Sequence, residues 1–155
     1  MAEAYIGIDP GNKGAICLLS GDLTTIDFID NSKPINHMVD WLEIHKNNYF
    51  IKKVLIEDVH SIFGTSAKSN FSFGFNTGVL HGVIKALQLP LDTVNPKIWQ
   101  KSFGIKSKGK LIKKEVATIC NTLYVNPSIY GSKGGLLDGR SDALGIATYC
   151  YHKYK

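Results

Sequence analysis

Four carboxylates in this sequence stand where a fold could gather them. Residues 6–11 read Ile-Gly-Ile-Asp-Pro-Gly, an apolar run that ends in Asp9 and breaks at a Pro-Gly turn. That is the pattern of a short buried strand delivering an acid to the edge of a sheet. Residues 53–58, Lys-Val-Leu-Ile-Glu-Asp, repeat the design with Glu57 at the strand end. Asp138 and Asp142 lie four residues apart at the start of a last helical pattern, so they share one helix face. Each acid has an ordinary alternative: Asp9 can set up the turn through its side chain, Asp138 can cap the helix, and Asp142 can sit in the field of the helix N-terminus. Together, four acids in one small volume suit hard divalent cations such as Mg²⁺, which take oxygen ligands and keep waters. Two such ions about 4 Å apart can activate a water and steady the leaving oxygen in phosphodiester cleavage. That chemistry requires Asp9, Glu57 and Asp142 to converge within metal-bridging reach.

The elements that must position these acids follow from periodicity. Residues 4–9, 14–20 and 23–29 alternate with Gly-containing turns and predict a three-stranded antiparallel meander. Apolar residues Ile35, Met38, Val39, Leu42 and Ile44 recur at helical spacing behind Pro34, which suits a first helical turn. A helix followed by the strand at 53–58 implies a parallel crossover onto the same sheet. Residues 59–70 read as a loop or an extension of the next helix, at about 71–87, in which Gly74, Gly78 and Gly82 form a stripe on one face. Glycine inside a helix costs about 1 kcal/mol relative to alanine, so the stripe implies a close contact with the sheet or with a second subunit. A short strand at 90–94, a short helix at 96–101 with Trp99 in the core, a helix through residue 123, a polar glycine-rich loop at 126–135 and a last helix at 136–151 complete the chain.

At 155 residues the chain fits a single domain, 1–155, with a core that needs no disulfide or metal support. Eighteen Lys and Arg against 13 Asp and Glu give a net charge of +5, which favours polyanionic partners. Five lysines, Lys106, Lys108, Lys110, Lys113 and Lys114, crowd the start of the fourth helix. They are either a solvated helix start or a phosphate-binding cluster; their mutual repulsion and the helix dipole favour an anion there. Cys17, Cys120 and Cys150 are odd in number and lack metal-ligand spacing, so they read as reduced core residues. No apolar run reaches the roughly 18 residues of a membrane span and no leader pattern is seen at residue 1, so the expectation is an intracellular protein of a bacterial or phage-infected host cytoplasm.

The segments GIDPGNKG (7–14), VLIEDV (54–59), VNPKIWQK (94–101) and DGRSDALGIA (138–147), in this order, resemble the RuvC family of Holliday junction resolvases, particularly the compact phage versions. The resemblance covers nearly the whole chain. It implies a ribonuclease H-like α/β fold: a mixed five-stranded sheet, the antiparallel meander plus parallel strands, flanked by helices. It also implies a homodimer, joined through the helix that carries the glycine stripe, that cuts four-way DNA junctions, with forks and flaps as further candidate substrates, and that involves no membrane and no small-molecule substrate. Asp9, Glu57, Asp138 and Asp142 carry over as ligands of two Mg²⁺ ions, with Mn²⁺ as a substitute. The cellular enzymes space their last two acids by three residues; here Gly139 occupies that place and Asp138 precedes it, which keeps the same helical face. His60 stands where the cellular family has a base-stacking aromatic, with Phe63 one turn on. The segment with Lys108, Lys110, Lys113 and Lys114 resembles the one from which the family draws DNA-binding lysines, with no single register fixed and Lys110 foremost.

Two other readings compete. DPGNKG also resembles the first phosphate loop of actin-like ATPases, although these close two domains over a nucleotide and this chain has length for one. A nuclease-like domain that binds branched nucleic acid without cutting is the other.

Overall fold

The computed structural model describes residues 1–60 and 64–155. Its chain order is β1 (Ala2–Ile8), β2 (Ala15–Ser20), β3 (Ile26–Asp30), α1 (Ile35–Asn48), β4 (Tyr49–Glu57), α2 (Ala67–Ala86), β5 (Leu91–Val94), α3 (Pro96–Ser102), α4 (Leu111–Leu123) and α5 (Asp138–Tyr154). The strands form one sheet in the order β3-β2-β1-β4-β5. β1, β2 and β3 pair antiparallel, whereas β4 joins β1 and β5 joins β4 in parallel, as the helical crossovers α1 and α2 require. The mixed five-stranded sheet expected from the sequence is therefore present.

Side chains on the strands alternate between two cores, which decides where the acids go. Ala4, Ile6 and Ile8 of β1, with Val54 and Ile56 of β4, pack toward Met38 and Leu42 of α1 and Leu80 and Ile84 of α2. Tyr5 of β1 and Leu55 of β4 face the opposite layer, built from Trp99, Val116, Cys120 and the Ala143–Ala147 stretch of α5. Both sheet faces are covered, so the central strands read as unbroken apolar runs rather than alternating ones. With a period of two, Asp9 and Glu57, each one residue beyond the paired Ile8 and Ile56, fall on the α5 side.

Close backbone approach fixes α5 over β1. A Cβ on Gly7 would stand 2.2 Å from the Ala147 nitrogen and 2.3 Å from the Ala143 oxygen, so only glycine lets the helix lie this near the central strand. At the helix start, a Cβ on Gly139 would meet the Lys13 carbonyl oxygen at 2.0 Å, and Gly14 and Gly139 form a bridge between the β1–β2 turn and α5. No side chain fits at position 139 in this packing.

Several boundaries differ from the sequence expectation. α2 starts at Ala67, not near residue 71, because Ser66 caps it by accepting the Ser69 amide. β4 begins at Tyr49, so α1 passes into it without a loop. α5 begins at Asp138, with Leu137 at the cap position and no side-chain cap, so Asp138 is not the capping residue. The glycine stripe does not touch the sheet: nothing lies within 4 Å of a Cβ built on Gly74, Gly78 or Gly82. Phe71 and Phe75, on the same face at three- and four-residue intervals, are 76% and 61% exposed and stack with centroids 6.4 Å apart. Cys17, Cys120 and Cys150 are buried and free, as expected. Among the described residues no helix is long and apolar enough to cross a membrane.

Candidate functional site

The strand-end acids lie beside the N-terminus of α5, and each is held by a different device. The Asp9 carboxylate accepts the Gly11 amide at 3.0 Å, so Asp9 does set its own turn as well as facing α5. Asn31, at the end of β3, staples this turn from outside: its side-chain amide donates to the Asp9 carbonyl at 2.7 Å and the Gly11 carbonyl at 2.8 Å, and its backbone amide donates to the Gly14 carbonyl at 3.0 Å. Glu57 accepts the indole N–H of Trp99 at 2.9 Å. Trp99 is buried as expected, against Gly145 of α5, and it also orients an acid. Arg140, between the two helical acids, makes a forked pair with Asp30 at 2.8 and 2.9 Å and so ties the start of α5 to the edge of the meander.

Electrostatics show that the four carboxylates share one field. Burial pushes the Asp142 carboxyl up to about 8, and Asp9, Glu57 and Asp138 add to the rise. Burial likewise takes Glu57 to about 7, opposed by the Trp99 hydrogen bond and reinforced by Asp9. Asp9 is raised too, mainly by burial and further by Asp138, while the Gly11 amide and Lys113 pull it down. The Lys113 ammonium pulls both Asp9 and Asp142 down and pairs with the Asp138 carboxylate. Burial first, and neighbouring carboxylates second, disfavour the charged forms of Asp9, Glu57 and Asp142, and a set of oxygen donors of this kind suits a hard divalent cation, whose charge would offset both. In the conformation seen, however, no group of three or more His, Cys, Asp or Glu among the described residues is arranged to hold a metal ion. The acids meet electrostatically but not as a finished ligand cage: three of them are engaged with Gly11, Trp99 and Lys113.

A broad open groove of about 920 Å³ runs from the end of β4 past α3 to the start of α4. His60, Lys97, Lys101 and Lys108 line it together with Asn95 and Gln100. Of the expected nucleic-acid contacts, His60 and Lys108 thus share this groove, Lys113 is turned to Asp138, and Lys110 and Lys114 are exposed at the α4 start outside the lining. Phe63 lies outside the described residues. Lys97 and Lys101 were missed; their i,i+4 spacing in VNPKIWQK would have placed both on one helix face. Asn31 and Arg140 carried no local signal, because the groups their side chains chiefly hold, Asp9 and Gly11 for Asn31 and Asp30 for Arg140, are 20 or more residues away.

No protein-family model and no curated protein matches this sequence. Solved structures do. Thermus thermophilus RuvC in complex with a Holliday junction substrate aligns over 97% of this chain and 93% of its own, with a TM-score of 0.58 and 19% identity. A second Thermus thermophilus RuvC structure aligns over the same shares with a TM-score of 0.58 and 18% identity. The fold is that of RuvC. At this identity the likeness speaks for the architecture, and the RuvC fold explains why two parallel strand ends and the start of the last helix come together: they are adjacent at one end of one sheet.

Proposed function

We propose that this protein is a structure-selective endonuclease that resolves four-way DNA junctions and related branched DNA by metal-assisted hydrolysis of a phosphodiester. The observation that carries the reading is the RuvC-type fold over 97% of the chain, in which the adjacent parallel strands β1 and β4 end at Asp9 and Glu57 and α5, which carries Asp138 and Asp142, packs against both strands. These four residues would hold two Mg²⁺ or Mn²⁺ ions, which when bound supply a hydroxide near neutral pH and charge for the leaving oxygen. Trp99 keeps Glu57 turned toward the site, and the Gly11 amide fixes Asp9. Lys97, Lys101 and Lys108 in the adjoining groove would take the phosphates of a strand leading to the acids, and exposed His60 could lie against a base. Two copies facing through the open glycine stripe of α2, with Phe71 and Phe75 beside it, would present two sites to opposite strands.

The test is cleavage of synthetic four-way, three-way, flap and linear DNA by purified protein with Mg²⁺ or Mn²⁺. Junction strands should be nicked to 5′-phosphate and 3′-hydroxyl ends, and Asp9→Asn should abolish nicking while leaving salt-sensitive binding. A second reading, a junction binder that does not cut, is favoured by the absence of a finished ligand group among the described residues. Binding without cleavage under either metal would establish it over the first.

A further inference from the structure

Lys113 occupies an unusual place for a lysine in a basic cluster. It lies in the first turn of α4, which has no acid there and no side-chain cap, so the helix dipole disfavours its charge. It reaches across to Asp138 in the first turn of α5, where the dipole favours a carboxylate. Its field extends to Asp9 and Asp142. The pair is only partly screened from water, with side chains 56% and 31% exposed, so it can open without unpacking the core. Lys113 is thus a cation built into the chain at the mouth of a carboxylate cluster, flanked by the exposed lysines Lys110 and Lys114.

We propose that Lys113 is a displaceable counter-cation: a divalent ion entering the cluster takes Asp138 from it, and the released ammonium then binds a phosphate of the substrate. This rests on the metal-site reading of the four acids. The exchange makes metal and DNA binding reinforce each other, since each favours the state in which Lys113 has left Asp138. The contact of Gly139 with Lys13 leaves no room for a side chain at position 139, and the carboxylate at position 138 is the one that Lys113 reaches.

Calorimetric titration of Mn²⁺ into wild type, Lys113→Met, Lys114→Met and Asp9→Asn tests the exchange, with thermal unfolding of each variant to check folding. Removing the competing cation should tighten Mn²⁺ binding by Lys113→Met roughly two- to five-fold, the range of a partly exposed ion pair, and more than Lys114→Met does. A merely structural tie between α4 and α5 would lower the unfolding temperature without tightening metal binding. In the second arm, junction affinity is measured with Ca²⁺ and with EDTA. Lys113→Met should weaken binding several-fold in Ca²⁺ and leave it nearly unchanged in EDTA, where the wild-type ammonium is held by Asp138. Mn²⁺ binding that Asp9→Asn weakens but Lys113→Met does not tighten would overturn the proposal alone. Equal loss of DNA affinity in both conditions would overturn the coupling. No Mn²⁺ binding by any variant would remove the metal-site reading and this proposal with it.

Discussion

Replacing Asp142 by asparagine should flatten the pH dependence of stability in metal-free buffer. Folding holds the Asp142 carboxyl up to about 8, whereas in the unfolded chain it titrates near its ordinary 3.8. Between those values the native state keeps a proton that the unfolded state has released, so the unfolded state gains on the native state as pH rises. The direction is therefore opposite to that of a salt-bridged carboxylate: stability is greatest on the acid side and is lost toward neutrality. Each retained proton is worth about 1.4 kcal/mol per pH unit. From about pH 5 to about pH 7 the wild type should lose on the order of 3 kcal/mol through this one group, equivalent to roughly 6–12 °C in unfolding temperature for a chain of this size. Asp142→Asn has nothing to release and should lack that slope. Calorimetric or urea unfolding with EDTA, at several pH values, measures it. Glu57→Gln should act likewise over a narrower window, because Glu57 is held only to about 7. If wild type and Asp142→Asn lose stability in parallel, differing by less than about 0.5 kcal/mol over that range, the burial and neighbouring charge argued to hold the Asp142 carboxyl protonated are refuted.

Two further substitutions probe what positions the site. Gly7→Ala and Gly139→Ala each press a methyl carbon against backbone atoms of a neighbouring element, at 2.2 and 2.0 Å, and should cost about 3 kcal/mol or more each, seen as a fall in unfolding temperature of roughly 6 °C or more. Gly78→Ala meets open space within one protomer and should gain up to about 1 kcal/mol of helix stability, whereas Gly78→Leu should abolish a dimer if α2 is the interface; sedimentation before and after substitution separates the two effects.

The sequence by itself determined most of the architecture, because period-two apolar runs, glycine turns and helical spacing are local signals of local geometry. The strands ending in Asp9 and Glu57 were legible for that reason, and so was the pairing of Asp138 with Asp142 on one helix face. The expectation that these acids gather came from the resemblance in four ordered segments, because no local pattern encodes it. Only the tertiary structure decided how each acid is held. The Trp99 bond to Glu57 spans 42 residues and the Arg140 fork to Asp30 spans 110, so neither leaves a periodic trace in the chain. The same holds for Lys113, whose sequence neighbours point to phosphate while its nearest partner in space is Asp138. Gly139 shows the division most clearly: the sequence records a glycine between two acids, and only the three-dimensional contact with Lys13 shows that no side chain fits between that carbonyl and the start of α5.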